Sequence, residues 1–299
     1  MARFRPDDDY YRLQRLSWSG YNTYRNRCPR SYKFRYVDRK KVPRNEYNTI
    51  GGKVIQKVFE RFYNDEIWRR GAEVSQILQD ILPKEYEAIV RRTNVDWDAK
   101  ESKLSKEELL ESLVPLVPST LALIKEHKLL GRYARSEVTV QAWVDKVLVH
   151  GISDFIIRRE KEHIILDGKL TKHRSKYLKV DQLIWYVMLF YLQHRVLVQK
   201  VGWIYYTYGE LEWVPVTMKD VKRLHSELEE TIGLIKKNRF DATPSREACR
   251  FCDYKKLCPE GQDMDLTHKK VRAEAKQKEY EKAGSPLAKD IDGIEEIGF

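Results

Sequence analysis

Between residues 45 and 66 the apolar positions Val54, Ile55, Val58, Phe59, Phe62 and Tyr63 recur at intervals of three and four, the spacing of one helix face. This predicts an amphipathic helix, and further helical stretches run to about Leu130, interrupted by Pro115 and Pro118. The period then changes. SEVTVQAWV, KVLVHGISDFII and HIILDGKL are β-branched and either alternate or run continuously apolar, with short charged turns (DK, RREKE) between them. They are expected to form three consecutive strands. A buried helix follows from about Tyr177 to His194, then VLVQKVGWIYYTY and LEWVPVT as two further strands, and a helix from about Lys219 to Lys237. The order helix, three strands, helix, two strands, helix predicts an α/β fold. From about Asp263 the chain becomes charged and poor in apolar residues, and Gly284-Ser285-Pro286 breaks a helical stretch there, so 263–299 reads as an appendage.

A length of 299 residues allows one large domain or two modest ones, and a single domain over 1–262 is expected. The longest apolar run, Leu183 to Leu192, is too short to span a bilayer, which needs about 18 residues. The first residues, MARFRPDDDYYR, lack the apolar stretch of a secretory signal, so a cytoplasmic setting without membrane is expected.

Charge sharpens the picture. Up to Arg44 the chain holds thirteen Lys and Arg against four Asp, an excess of nine within a net charge of +11. Arg25, Arg27, Arg30, Lys33 and Arg35 interleave with Tyr21, Tyr24, Tyr32, Phe34 and Tyr36. Cations that neutralise phosphates beside rings that stack on unpaired bases point to nucleic acid; an ordinary solvated basic face is the alternative. Lys172 and Arg174, in a basic loop with His173, extend the same expectation.

The candidate chemistry lies in the strand meander. Asp167 and Lys169 sit at i and i+2 of one strand and emerge on one face, and a hairpin brings Asp154 across to them. Carboxylates suit a hard divalent cation such as Mg²⁺, and such an ion polarises a phosphate and activates water. Lys169 beside it would orient the water or offset developing charge. An Asp-x-Lys triplet alone is common and usually an exposed ion pair, but this one follows Ile164, Ile165 and Leu166 in a strand that reads as buried.

Cys28 stands alone, whereas Cys249, Cys252 and Cys258 form C-x2-C-x5-C. One centre taking all four would clamp the two ends of the domain together. Thiolates suit a zinc ion or an iron-sulfur cluster, and unligated thiols are the plain alternative.

Taken in order, these motifs resemble the PD-(D/E)XK nuclease superfamily, in particular its RecB-type branch with a cysteine-bound cluster, found in AddB-like recombination nucleases and CRISPR-associated adaptation nucleases. Ser19 to Val37 is similar to that branch's opening segment, Gly151-Ile152-Ser153-Asp154 to its first acidic motif, Asp167-Gly168-Lys169 to its second, Gln182 to Tyr186 to its Q-x3-Y helix, and the last three cysteines to its closing spacing. The resemblance implies a restriction-endonuclease-like core, a central mixed sheet flanked by helices, clamped by a 4Fe-4S cluster on Cys28, Cys249, Cys252 and Cys258, with zinc as the alternative. It implies Mg²⁺ or Mn²⁺ held by Asp154, Asp167 and the carbonyl of Gly168, with Lys169 catalytic and Gln182 and Tyr186 facing the site. Glu137 falls where the family often has a supporting glutamate. The family's G-x3-H helix motif ends here in Gln56, an amide that ligates a hard cation more weakly than its usual ligands.

The implied activity is metal-dependent hydrolysis of DNA, as an exonuclease on single strands or free ends in recombination, repair, replication or CRISPR adaptation. A catalytically weak DNA-binding or scaffold subunit is the alternative. No G-x4-G-K-[ST] loop is present, so unwinding would come from a replication, recombination or CRISPR partner protein. The terminal peptide DIDGIEEIGF offers acid and a final Phe299 to such a partner, or to the chain's own basic surface.

Overall fold

The computed structural model describes residues 11–100, 102–160, 162–171 and 179–263. Lys172, Arg174, the first residues of the helix expected from Tyr177, and the appendage beyond Asp263 lie outside the described residues. The chain divides into two units, one of Met1–Asn22 with Pro43–Arg239 and one of Thr23–Val42 with Phe240–Phe299.

In chain order the strands are β1 (Arg15–Ser17), β2 (Tyr133–Val144), β3 (Val147–Arg159), β4 (Glu162–Lys169), β5 (Lys200–Tyr205) and β6 (Glu210–Trp213). The α-helices are α1 (Trp18–Asn26), α2 (Pro29–Tyr32), α3 (Tyr47–Asn64), α4 (Val74–Arg92), α5 (Lys106–Leu113), α6 (Leu116–Glu126), α7 (Val180–His194), α8 (Met218–Lys236) and α9 (Arg246–Arg250).

The first unit is built on one six-stranded mixed sheet, ordered β1-β3-β4-β5-β6, with β2 on the other edge of β3. β3 is the spine of this sheet. It pairs antiparallel with β2 along nearly its whole length, antiparallel with β4 over Phe155–Arg159, and parallel with β1 over Leu148–His150. The β2–β3 turn places Asp145 and Lys146 at φ 46° and 61°, the left-handed pair that matches the twist of a two-residue hairpin. β4 and β5 run parallel, which requires a crossover, and α7 supplies it.

The two longest faces of apolar side chain explain the layering. On α3, Ile50, Val54, Ile55, Val58, Phe59 and Phe62 are buried and join Leu166, Phe155 and Ile157 of the sheet in one core. On α7, Leu183 to Phe190 are buried without a break. A helix buried all round cannot be a surface helix, and α7 is covered by the sheet on one side and α8 on the other. α5 and α8 start with capping boxes, Ser105 with Glu108 and Thr217 with Asp220. Among the described residues no helix is long and apolar enough to cross a membrane.

The α/β order and the three-strand meander are as the sequence predicts. Three local features differ. β1 is only three residues, below the length at which alternation is readable. Val196 to Gln199 stay outside β5 although they are β-branched or apolar in part. Pro118 does not interrupt a helix, because it sits in the first turn of α6, where its missing N–H has no helical partner.

Candidate active site

The geometry begins at a break in the ladder. Ser136 pairs with Phe155 and Val138 with Ser153, but Glu137 and Asp154, opposite each other between them, are unpaired. Glu137 has φ 56°, a strained value for a residue inside a strand. Here the sheet changes the faces its side chains present. A Cβ on Gly151 would meet Tyr186 of α7 at 2.9 Å, whereas Phe155 packs on Tyr63 of α3 at 5.3 Å between ring centroids. Two odd-numbered residues of one strand therefore face opposite sides.

That break delivers Asp154 to β4. The last β3–β4 pair is Phe155 with Leu166, so one step further Asp154 lies opposite Asp167. Asp154 Oδ2 accepts a 2.7 Å hydrogen bond from the Gly168 N–H. Gln56, on α3, donates from Nε2 to Asp154 Oδ1 at 2.8 Å and to Glu137 Oε1. Asp167, only 1 % exposed, accepts from Gln182 Nε2 at 3.0 Å through Oδ1, and Lys169 Nζ stands 2.5 Å from its Oδ2. Lys169 also reaches Gln182 Oε1 at 3.4 Å and lies 5.0 Å from the centre of the Trp203 ring. Gln182 donates in addition to the Tyr186 hydroxyl at 3.1 Å, one turn along α7. Asp154, Asp167, Gly168, Lys169, Gln56, Gln182 and Tyr186 thus converge, with Glu137 beside them.

Two features were not readable from the sequence. One is the left-handed conformation of Glu137. The other is Tyr206, whose buried hydroxyl has no hydrogen-bond partner among the described residues and lies against Gly168, where an added Cβ would come within 2.2 Å of it. Tyr206 follows directly on β5, and its ring stacks on Phe59 of α3 at 6.2 Å. Only a paired strand register brings it under Gly168.

The electrostatics are those of a site with too much negative charge. Burial, and then repulsion from Asp167, hold Asp154 well above the usual carboxylate range, against the pull of Lys169 and the Gly168 N–H. Burial raises Asp167 despite Lys169, and burial with the neighbouring Glu60 raises Glu137. Burial also pushes the Tyr186 and Tyr206 hydroxyls upward. Lys57 pairs with Glu60 at 2.8 Å and acts only in part on Glu137, so among the described residues Lys169 is the ammonium in contact with this group of three carboxylates. This donor set fits a hard divalent cation, which would neutralise the surplus.

The second unit holds the cysteines. Cys28 is extended, φ −166°, at the start of α2, and Cys249 lies in α9. All four cysteines line one recess of about 360 Å³, counted out to its open mouth, together with Ser31, Phe34 and Tyr254. Cys28 Sγ accepts from the Thr243 N–H at 3.5 Å, and burial followed by Glu260 pushes the Cys258 thiol up. Among the described residues no three His, Cys, Asp or Glu side chains are close enough to hold a single metal ion.

The basic-aromatic segment behaves differently from expectation. Tyr21, Tyr24 and Tyr32 are buried, and Tyr32 stacks on Phe240 at 6.1 Å, so these rings are core rather than a stacking surface for bases. Arg35 pairs with Asp253 at 3.0 Å, Arg30 with the Phe240 carbonyl at 3.0 Å and Glu260 at 3.7 Å, and Lys33 with Asp38 at 3.4 Å. Arg25 and Arg27 are exposed.

Three solved structures show a distant similarity to this chain: an exonuclease candidate from Eubacterium rectale (11% identity, 85% of this chain, 92% of that one, TM-score 0.48), the protein SSO0001 (13%, 86%, 88%, 0.37) and VC1899 from Vibrio cholerae (10%, 66%, 53%, 0.23). All three TM-scores fall below 0.5, and the assignment does not rest on them. No curated protein matches. The description PD-(D/E)XK nuclease superfamily matches residues 15–259, a span that holds Asp154, Asp167, Lys169 and all four cysteines. The chain belongs to the PD-(D/E)XK nuclease superfamily.

Proposed function

We propose that the protein is a divalent-metal-dependent deoxyribonuclease of the RecB-type branch, acting as an exonuclease on single-stranded DNA or free DNA ends. The observation that carries this reading is the convergence of Asp154, Asp167 and Lys169 at one break in the sheet, with Lys169 Nζ 2.5 Å from Asp167. Asp154, Asp167 and the Gly168 carbonyl would hold Mg²⁺ or Mn²⁺. Bound there, the ion would polarise a phosphate oxygen and acidify a water.

The remaining work falls to side chains. Lys169, fixed by Asp167, Gln182 and the Trp203 face, is partly exposed and can direct its ammonium at a phosphate oxygen or at the attacking water. Gln182 holds Asp167 and Tyr186 together, so the α7 face sets the angle of the carboxylate. Gln56 stands where the family's histidine would, and a half-turn of its amide presents oxygen instead of nitrogen to the carboxylate side.

The recess lined by four thiols supports a 4Fe-4S cluster in the second unit. A zinc ion needs four sulfurs at about 2.3 Å from one point, a tighter convergence than a cluster requires. Such a cluster would tie Cys28 to Cys249, Cys252 and Cys258 as a structural staple.

One observation favours a second reading, a weak or inactive DNA-binding subunit: the Gln56 amide donates to both Glu137 and Asp154, a contact a cation would have to displace. The test is hydrolysis of labelled single-stranded and duplex DNA with Mg²⁺ or Mn²⁺, run beside Lys169→Ala. Metal-dependent cleavage lost in the variant supports the nuclease. Retained DNA binding with no cleavage by the parent protein supports the scaffold instead.

A further inference from the structure

Beyond the ladder break at Glu137 and Asp154, no described helix covers the sheet face opposite α7. Trp143 stands opposite Leu148, Gln141 opposite His150, and Thr139 opposite Ile152. Trp143 is 72% exposed and Ile152 49% exposed, large side chains left open on a continuous strand face. β1 extends this face, since Arg15 pairs with Leu148 and points to the same side. Arg15 is exposed, and burial followed by the nearby Arg15 charge lowers the pKa of His150. None of these positions is Asp or Glu.

The reason for the gap lies in the face change described above. The same side of the sheet carries Ala134, Phe155 and Ile157 under α3, but past Glu137 no helix follows among the described residues. The catalytic carboxylates sit at the border between the covered and the open half. Leu148 precedes Asp154 by six residues on β3. At about 3.3 Å per residue, Trp143 and Leu148 lie ~20 Å from Asp154, a length covered by roughly six stacked nucleotides.

We propose that this open face of β1, β2 and β3 is a track for single-stranded DNA, with a base stacked on Trp143 and phosphate near Arg15, leading the strand to Asp154 and Asp167. The proposal rests on the nuclease reading and names the binding surface for its substrate. The occupant follows from the chemistry. An exposed indole on a flat strand face offers its ring to any unpaired base, a cation beside it attracts the backbone, and the absence of carboxylates removes repulsion. A duplex keeps its bases stacked inside and gains nothing from the ring.

Binding of labelled oligothymidylate, measured by fluorescence anisotropy in EDTA so that no hydrolysis runs, separates this surface from the chemistry. Trp143→Ala is expected to weaken a strand of roughly twelve nucleotides about tenfold, while Trp143→Phe keeps most of the affinity. Arg15→Ala should weaken the same strand and flatten its salt dependence. Because Trp143 is exposed, the variants should melt like the parent. Equal affinity across parent and variants, or the same Trp143 dependence with a duplex, would overturn the track. If the parent fails to cut DNA with Mg²⁺ or Mn²⁺ but binding still depends on Trp143, the track stands and the nuclease reading falls. Cutting by the parent without any Trp143 dependence sinks the track alone.

Discussion

Gly168 does two jobs that no other residue can combine. Its N–H binds Asp154, and its missing side chain leaves room for the Tyr206 hydroxyl. Gly168→Ala should therefore cost about 1–3 kcal/mol in chemical denaturation by overpacking, and Tyr206→Leu in the same chain should recover much of it. Simple additivity of the two changes would show that they do not meet. Lys169→Ala removes the ammonium beside a buried carboxylate. Cleavage should fall by about 10²–10³, and stability near neutral pH by about 3–5 kcal/mol, because Asp167 is left buried without its counter-charge. Kinetics on labelled DNA and urea unfolding check both halves. Asp167 and Lys169 were legible as neighbours because period-2 alternation puts i and i+2 on one face, and Asp154 because a hairpin sets β3 beside β4. Tyr206 was not, since a tyrosine next to a strand carries no mark of the glycine it will rest on.

At the scale of elements, the helix α3, the meander β2–β4 and the buried helix α7 were readable from their periods. The face change at Glu137 was not. Its left-handed backbone reverses the alternation in mid-strand, and nothing in the sequence around Glu137, which is flanked by ordinary strand residues, signals it. The tyrosines of the basic-aromatic run differ from expectation for a related reason: spacing shows clustering, but not that Tyr24 and Tyr32 turn inward. The break in β2 and β3 also predicts a pH response of the metal-free protein. Asp154 is raised above its unfolded value of about 3.9, first by burial and then by Asp167, while Glu137 adds repulsion and Lys169 opposes it. Between the two values the native state keeps a proton that the unfolded chain has released. Stability in EDTA should therefore decline as pH climbs through that window and level off above the folded value. Asp154→Asn should flatten the slope and raise the melting temperature near neutral pH by a few degrees, measured by thermal unfolding. An unchanged slope would mean that Asp154 is not the group responsible.

For the molecule as a whole, each unit carries one proposed inorganic centre, a divalent ion in the sheet unit and a cluster in the cysteine unit. Protein purified without oxygen should be brown and contain iron and sulfide in equal amounts, and any one of Cys28, Cys249, Cys252 or Cys258 changed to Ala should abolish the colour and expose Thr23–Val42 and the segment after Phe240 to protease. Bound zinc with no colour would replace the cluster by the alternative.

The carboxylates at the sheet break are short of positive charge, and in the proposed nuclease a divalent ion supplies it. Calorimetric titration of Mn²⁺ into the 299-residue protein at neutral pH, repeated in buffers of different ionisation enthalpy, reads this out. Saturable binding with release of protons is expected, lost in Asp154→Asn and in Asp167→Asn. Absence of binding, or binding of equal strength in both variants, would contradict it.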